Sequence, residues 1–295
     1  MNSQNVPIRD AAYADIRRLF IAPEGLWLVR ADYNQLELRI LAESGQVSNL
    51  ITAYQRRGDI HKNSALELVE PVLHRFNGPA YAVWMEWALK DKRYFGKNKL
   101  NFPSIYGVEA PKMVEMANKS FLPMVMREAR EILKLFDARY PQIEEHRNAY
   151  QAMILATGEA RTLYNRRRIF PGLHQLDRQE IAAALREGFN HRIQGTAADL
   201  FKLAWLALWR VGLLDEWHRI VNAVHDELVF YIPQGDLPWC LEAKQVMESV
   251  TNWAPFPGWP MREWSVPLEV EFAVGSNWYD TTPIEELLTP KHSVV

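Results

Sequence analysis

Residues 219–232 read RIVNAVHDELVFYI. Two apolar runs flank a two-residue polar centre, which predicts a β-hairpin with Asp226 at its tip. A second apolar run, LWLVRA at 26–31, follows the turn residues Pro23-Glu24-Gly25 and reads as a buried strand. Asp32 comes directly after it. The next stretch, NQLELRILAE at 34–43, sets Leu36, Ile40 and Leu41 at helical spacing. A late strand is expected at 268–274. Between these ends the pattern is helical, with helices expected at 123–139, at 141–156 with Pro141 in the first turn, and at 177–193. Residues 162–173 read as a loop or hairpin. Gly195 is expected to interrupt the helical run. Thr196 and Asp199 then read as the capping box of a further helix to about 211. Strands at both ends and helices in the middle give an α+β fold, an antiparallel sheet domain with a mostly helical insertion.

The composition supports a folded chain. Its 295 residues are 48% hydrophobic and 24% charged, too apolar to stay unburied. The single cysteine, Cys240, excludes an intrachain disulfide and a cysteine zinc site, and fits a reducing compartment. The start MNSQNVPIRD has no apolar signal region, and no stretch is apolar for the length of a membrane span. The expected location is intracellular, in the cytoplasm. A net charge of −2 argues mildly against nucleic acid as a partner. Locally the charge differs: KDKRYFGKNK at 90–99 has five basic residues and one acidic, and RTLYNRRR at 161–168 has four arginines and no acid. Taken alone, such runs read as solvated faces.

Phosphate-loop, dinucleotide-fingerprint, zinc-protease and nucleophile-elbow motifs are all absent from the sequence. What remains is a pair of aspartates, Asp32 after a strand and Asp226 at a hairpin tip. Spacing alone favours a plain reading, in which Asp32 caps the following helix and Asp226 makes a turn. The chemical alternative is a metal pair. Two carboxylates brought together repel unless hard cations such as Mg²⁺ sit between them, and two metals about 4 Å apart recur in phosphoryl transfer. Arg93 and Lys97 lie four apart on one helix face, as do Phe102 and Tyr106. Cations of that kind can grip a triphosphate, and aromatic faces can stack on a base. Arg186, Asn190 and Gln194 also step by four. All three can donate to the acceptors that every base pair shows in the minor groove.

The segments DYNQLELR (32–39), the RxxxK…NFxxxYG run (93–107), QGTAADL (194–200) and VHDELV (224–229) resemble the A, B and C motifs of family A DNA polymerases, the bacterial DNA polymerase I type. QNVPIR (4–9), DIH (59–61) and NRRRIFPG (165–172) match in the same order, so the resemblance runs from residue 2 to about 279. It implies a palm at 1–50 and 174–295, with fingers inserted at 51–173. It further implies template-directed transfer of deoxynucleotides to a primer 3′-hydroxyl, with two Mg²⁺ ions as cofactor. Asp32, Asp226 and the backbone carbonyl of Tyr33 would hold the metals, with Glu227 an auxiliary catalytic carboxylate. Glu37 would be the steric gate against a 2′-hydroxyl, beside Gln35 in the nucleotide site. His61, Arg93 and Lys97 would touch the triphosphate, Phe102 the sugar and base, and Tyr106 the template-base position. Arg186, Asn190, Gln194 and His225 would contact the primer–template duplex, with Arg9 and the loop arginines Arg166, Arg167 and Arg168 as further DNA contacts.

The chain departs from the family pattern at motif B. Pro103 stands where a glycine is usual, which predicts a kink or a helix end. Lys97 and Phe102 are five residues apart where four is usual; a bulge in the helix absorbs the extra residue, or else Lys99 or Asn98 takes the place of the lysine. No segment matches a thumb or an exonuclease domain. The implied partners are primer–template DNA and dNTPs; the chain reads as a fragment, one half of a split polymerase or a naturally minimal form, and in the second case an N-terminal polypeptide carrying the thumb is a further partner. The alternative functions are a non-catalytic DNA-binding subunit and the C-terminal half of a split polymerase.

Overall fold

The computed structural model describes residues 14–260 and 263–288. Its strands are β1 (Leu26–Tyr33), β2 (Glu159–Arg161), β3 (Arg167–Ile169), β4 (Arg219–Val224), β5 (Glu227–Pro233), β6 (Val270–Gly275) and β7 (Thr281–Pro283). Backbone packing separates two compact units, Met1–Glu37 with Thr196–Val295, and Leu38–Gly195. The divisions fall after Glu37 and Gly195, whereas the sequence reading puts them after 50 and 173. Side-chain contacts explain the shift. Ser44 Oγ lies 2.9 Å from His146 Nε2 and accepts from Arg192 Nε at 3.0 Å, which ties residues on either side of the expected boundaries into the helical unit.

The first unit is an antiparallel sheet in the order β4-β5-β1-β6-β7. The expected hairpin is present: Val224 pairs with Glu227 across His225-Asp226. β1 runs two residues beyond the apolar stretch, so Asp32 is a strand residue rather than a helix cap. Side chains alternate faces along a strand. Val29, Ala31 and Tyr33 of β1 share one face with Leu228, Phe230 and Ile232 of β5 and with Val270, Phe272 and Val274 of β6, and all are buried. Helix Trp239–Glu248 packs on β6, and helix Thr196–Arg210 packs on that helix. The Tyr33 hydroxyl donates to the Met247 carbonyl at 2.7 Å and pins strand to helix. Burial beneath this layer pushes the Cys240 thiol up to about 12, so it is no nucleophile. The opposite face carries Leu28, Arg30 and Asp32 of β1. Its apolar part is a small cluster of Leu28, Val224, Val229 and Trp278.

The second unit is helical, apart from the β2–β3 hairpin. Its expected long helices run Met126–Arg139, Pro141–Thr157 and Arg178–Asn190; Asp177 caps the last, accepting from the Gln179 and Glu180 amides at 2.7 and 2.8 Å. A π turn, Gly96–Asn101, joins helix Leu89–Phe95 to helix Phe102–Ile105. It provides the bulge that the five-residue spacing calls for. Pro103 then sits in the first turn of the short following helix, where a missing N–H costs little.

Gly195 does not break the helical run. A π turn, His191–Gly195, carries the chain directly into helix Thr196–Arg210, so Thr196 and Asp199 do not open an independent helix. The glycine serves packing instead: a Cβ there would lie 2.8 Å from Thr162 Cγ2 and 2.9 Å from His191 Nδ1. Among the described residues no helix is long and apolar enough to cross a membrane.

Candidate functional site

Register brings the acidic residues of the first unit together. Asp32 lies directly opposite Glu227 on β5 and opposite Glu271 on β6. The Tyr33 amide donates to the Asp226 carbonyl at 3.3 Å, which sets the hairpin tip beside the end of β1. Burial, then the charges of Asp226 and Glu227, push the Asp32 carboxyl up to about 7, with a smaller push from Glu271. A cation would reverse that repulsion, and hard oxygen donors suit Mg²⁺. Asp32 and Asp226 thus fit a divalent metal by donor chemistry. Among the described residues no larger group of His, Cys, Asp and Glu forms a ready-made metal cluster.

The two strained non-glycine residues described in this unit flank those aspartates. Gln35 has φ +56° and His225 has φ +54°, in the left-handed region that most side chains avoid. Strain of this kind persists where the surrounding structure imposes it and concentrates at working sites. Gln35 precedes the helix Leu36–Ser44, so the chain turns sharply between Asp32 and Glu37, which is partly exposed in its first turn. His225 is exposed at the hairpin tip.

Glu227 is buried and fully engaged. Its Oε2 accepts from Arg30 Nε at 2.6 Å and pairs with Nη2 of the same guanidinium. Its Oε1 accepts from Trp278 Nε1 at 2.7 Å and lies 3.8 Å from Arg17 Nη1. Arg17 stacks on the Trp278 ring at 3.9 Å. Arg30, Trp278 and Glu271 are the residues of this site that the sequence reading misses. The signal for Arg30 is its place two before Asp32 in a strand, hence on the same face. Nothing local marks Trp278.

The second unit gathers the motif-B residues. Asp59 caps helix Ile60–Ser64 and accepts from Arg93 Nε at 2.6 Å. Burial works against its ionisation, but the Arg93 and Lys62 hydrogen bonds outweigh it and hold the carboxyl below its ordinary range. Lys97 Nζ stands 5.7 Å from the centre of the Phe102 ring, so the π turn keeps the two on one side. His61 is wholly buried, and Asn101 Nδ2 lies 2.9 Å from its Nδ1. An amide nitrogen only donates, so Nδ1 accepts and the proton sits on Nε2. Burial, then the Lys97 and Arg93 charges, lower its pKa to about 3. His61 is therefore neutral and enclosed rather than displayed. Tyr106 packs edge-on to Phe189, ring centres 6.3 Å apart.

Arg186 and Gln194 are exposed and Asn190 half-buried, and Asn190 Nδ2 donates to Gln194 Oε1 at 2.9 Å. The loop arginines are anchored: Arg166 Nη2 donates to the Gly195 carbonyl at 2.8 Å, Arg167 lies 3.6 Å from Glu159, and Arg168 pairs with Glu187. Arg9 lies outside the described residues.

DNA polymerase family A matches residues 1–280. The chain is 32% identical over 288 residues to DNA polymerase I of Pseudomonas aeruginosa, covering 94% of this chain and 27% of the relative. It is 33% identical over 289 residues to the thermostable DNA polymerase I of Thermus aquaticus, covering 94% and 30%. The POL domain of Pol1 from M. smegmatis, solved in complex with DNA primer-template and dNTP, superposes with a TM-score of 0.73 at 28% identity, covering 95% of this chain and 45% of that one. The chain thus spans under a third of the length of these curated relatives. A match over nearly its whole length is enough to place it: the chain belongs to DNA polymerase family A.

Proposed function

We propose that this chain is the palm and fingers of a template-directed DNA polymerase, adding deoxynucleotides to a primer 3′-hydroxyl. The sheet unit is the palm and the helical unit the fingers. The observation that carries the reading is the convergence of Asp32 and Asp226, at a strand end and a two-residue hairpin, where burial first and then the charges of Asp226 and Glu227 push the Asp32 carboxyl up to about 7. Asp32, Asp226 and the Tyr33 carbonyl are the groups that would hold two Mg²⁺ ions. When bound, such ions supply Lewis acidity to the attacking hydroxyl and take up charge on the leaving pyrophosphate.

The chain's own residues do the rest. Glu37, beside the strained Gln35, crowds a 2′-hydroxyl and so selects deoxynucleotides. Arg93 and Lys97 neutralise the triphosphate, with Arg93 exchanging its Asp59 partner for phosphate oxygens. Phe102 offers its face to sugar and base, and Tyr106 guards the template position. Arg186, Asn190 and Gln194, with His225 and the arginine loop, hold the duplex without reading its sequence.

Primer extension with Mg²⁺ and four dNTPs tests the reading, beside Asp226→Ala. Extension by the chain that disappears in Asp226→Ala supports it. Without extension, adding a thumb-bearing polypeptide separates the outcomes: restored synthesis supports a split enzyme, and continued silence with DNA binding retained leaves a non-catalytic subunit.

A further inference from the structure

One of the two carboxylates directly opposite Asp32 in register belongs to Glu227, yet both its oxygens face protein donors. The geometry explains how. Arg30 and Asp32 are two apart in β1 and project from the same sheet face, and Glu227 projects from that face of β5. Like charges directly opposite in a sheet destabilise it unless one of them is neutralised. Arg30 meets that need with two nitrogens on Oε2, while Trp278 and Arg17 face Oε1. Glu227 also opens β5, so whatever holds it holds the end of the turn that carries Asp226.

We propose that Arg30 is a positioning residue which, acting through Glu227, keeps that carboxylate out of the metal-holding pair and fixes the Asp226 turn. The proposal rests on the metal-dependent reading above. A guanidinium so near a cation site weakens cation binding unless its charge is matched; here Glu227 matches it. Removing Arg30 frees one negative charge beside Asp32 and loosens the turn. Metal then binds more tightly while catalysis suffers. A residue of merely structural importance does not give that opposite pair of changes.

The test uses Mn²⁺ as the probe, its binding to the full chain followed by loss of the free-ion electron paramagnetic resonance signal. Asp226→Asn serves as the ligand control and should weaken Mn²⁺ about tenfold or more. Glu227→Gln leaves the Arg30 charge unmatched and should weaken Mn²⁺ about threefold, well short of the loss in Asp226→Asn, since its oxygens are already taken by protein donors. Arg30→Met should bind Mn²⁺ about threefold more tightly. In primer extension its kcat should fall at least about fivefold with little change in the KM for dNTP, and Arg30→Lys should recover most of the loss. Circular dichroism checks that each variant folds. Unchanged or weaker Mn²⁺ binding by a folded Arg30→Met overturns the proposal, as does a tenfold loss in Glu227→Gln. Binding does not depend on synthesis. A chain that shows this Mn²⁺ pattern but extends no primer, with or without a thumb-bearing polypeptide, keeps the Arg30 assignment and loses the polymerase reading.

Discussion

Two buried polar groups, the Glu227 carboxylate in the sheet unit and the cluster around His61 in the helical unit, are paired in opposite ways. In the sheet unit, the Glu227 carboxylate is enclosed and each of its oxygens has a donor, from Arg30 on one side and Trp278 on the other. In the helical unit, His61 Nε2, Asn101 Oδ1 and Ser104 Oγ are enclosed with no protein partner. A satisfied buried network holds one geometry firmly, because breaking any member strands the others. An unsatisfied seam gains by changing its partners. On the proposed function, the carboxylates of the metal pair must not move, whereas the helix that would receive the nucleotide has reason to shift. The seam coincides with the π turn Gly96–Asn101 and with a tight crossing: a Cβ at Gly96 would come 2.2 Å from the His61 carbonyl oxygen.

The largest effect expected in either region is chemical. Asp226→Ala should reduce primer extension by roughly 10³-fold or more while the protein still unfolds cooperatively. If extension survives, the contrast loses its functional meaning, because the rigid region would then not be the reacting one. Next in size is Trp278→Phe, measured by urea denaturation. It leaves a smaller aromatic ring beside Arg17 but removes the donor to Glu227 Oε1, and should cost about 1–3 kcal/mol. A cost near zero would mean that the knot is not closed as described.

The helical unit should reveal itself through pH. His61 in the folded chain has a pKa of about 3, against an ordinary value of 6.5. Between those values the unfolded chain binds a proton that the folded chain refuses. Stability is therefore full above about pH 6.5 and falls as the solution is acidified, by at most about 1.4 kcal/mol per pH unit for this histidine. His61→Gln should flatten that slope. His146, lowered to about 4 by burial and then Arg192, keeps a similar slope over a narrower range and serves as the internal reference. An unchanged slope in His61→Gln would place His61 in water and remove the seam.

Much of this was legible in the residues, and the limits of legibility are physical. The hairpin at Asp226 and the strand before Asp32 follow from apolar alternation, which is local. The bulge at motif B follows from a count of residues between Lys97 and Phe102. The row Glu227, Asp32, Glu271 does not, because it depends on the register of three strands far apart in sequence. The Arg30 and Trp278 contacts depend on the same register. The continuity of the helix through Gly195 was hidden for another reason. Glycine usually signals an end, but here it lets Thr162 and His191 approach closely, a demand made by tertiary packing. The boundaries after Glu37 and Gly195 likewise follow contacts rather than composition.

The smallest expected effect is the sharpest test of the difference between the regions. Ser104 lies in the short helix after the π turn; its carbonyl accepts from Arg147 Nη1 at 3.3 Å, but its buried hydroxyl has no partner. Ser104→Ala removes one polar atom, as Trp278→Phe does. In the knot that deletion strands a carboxylate oxygen. In the seam it removes a group that is already stranded, and it replaces serine with a better helix former. The expected change is therefore between zero and about 1 kcal/mol of added stability, read from the same urea titration. A loss of about 1 kcal/mol or more would show that the hydroxyl has a partner in solution, and the seam and the Glu227 site would then differ in chemistry but not in how completely these groups are paired.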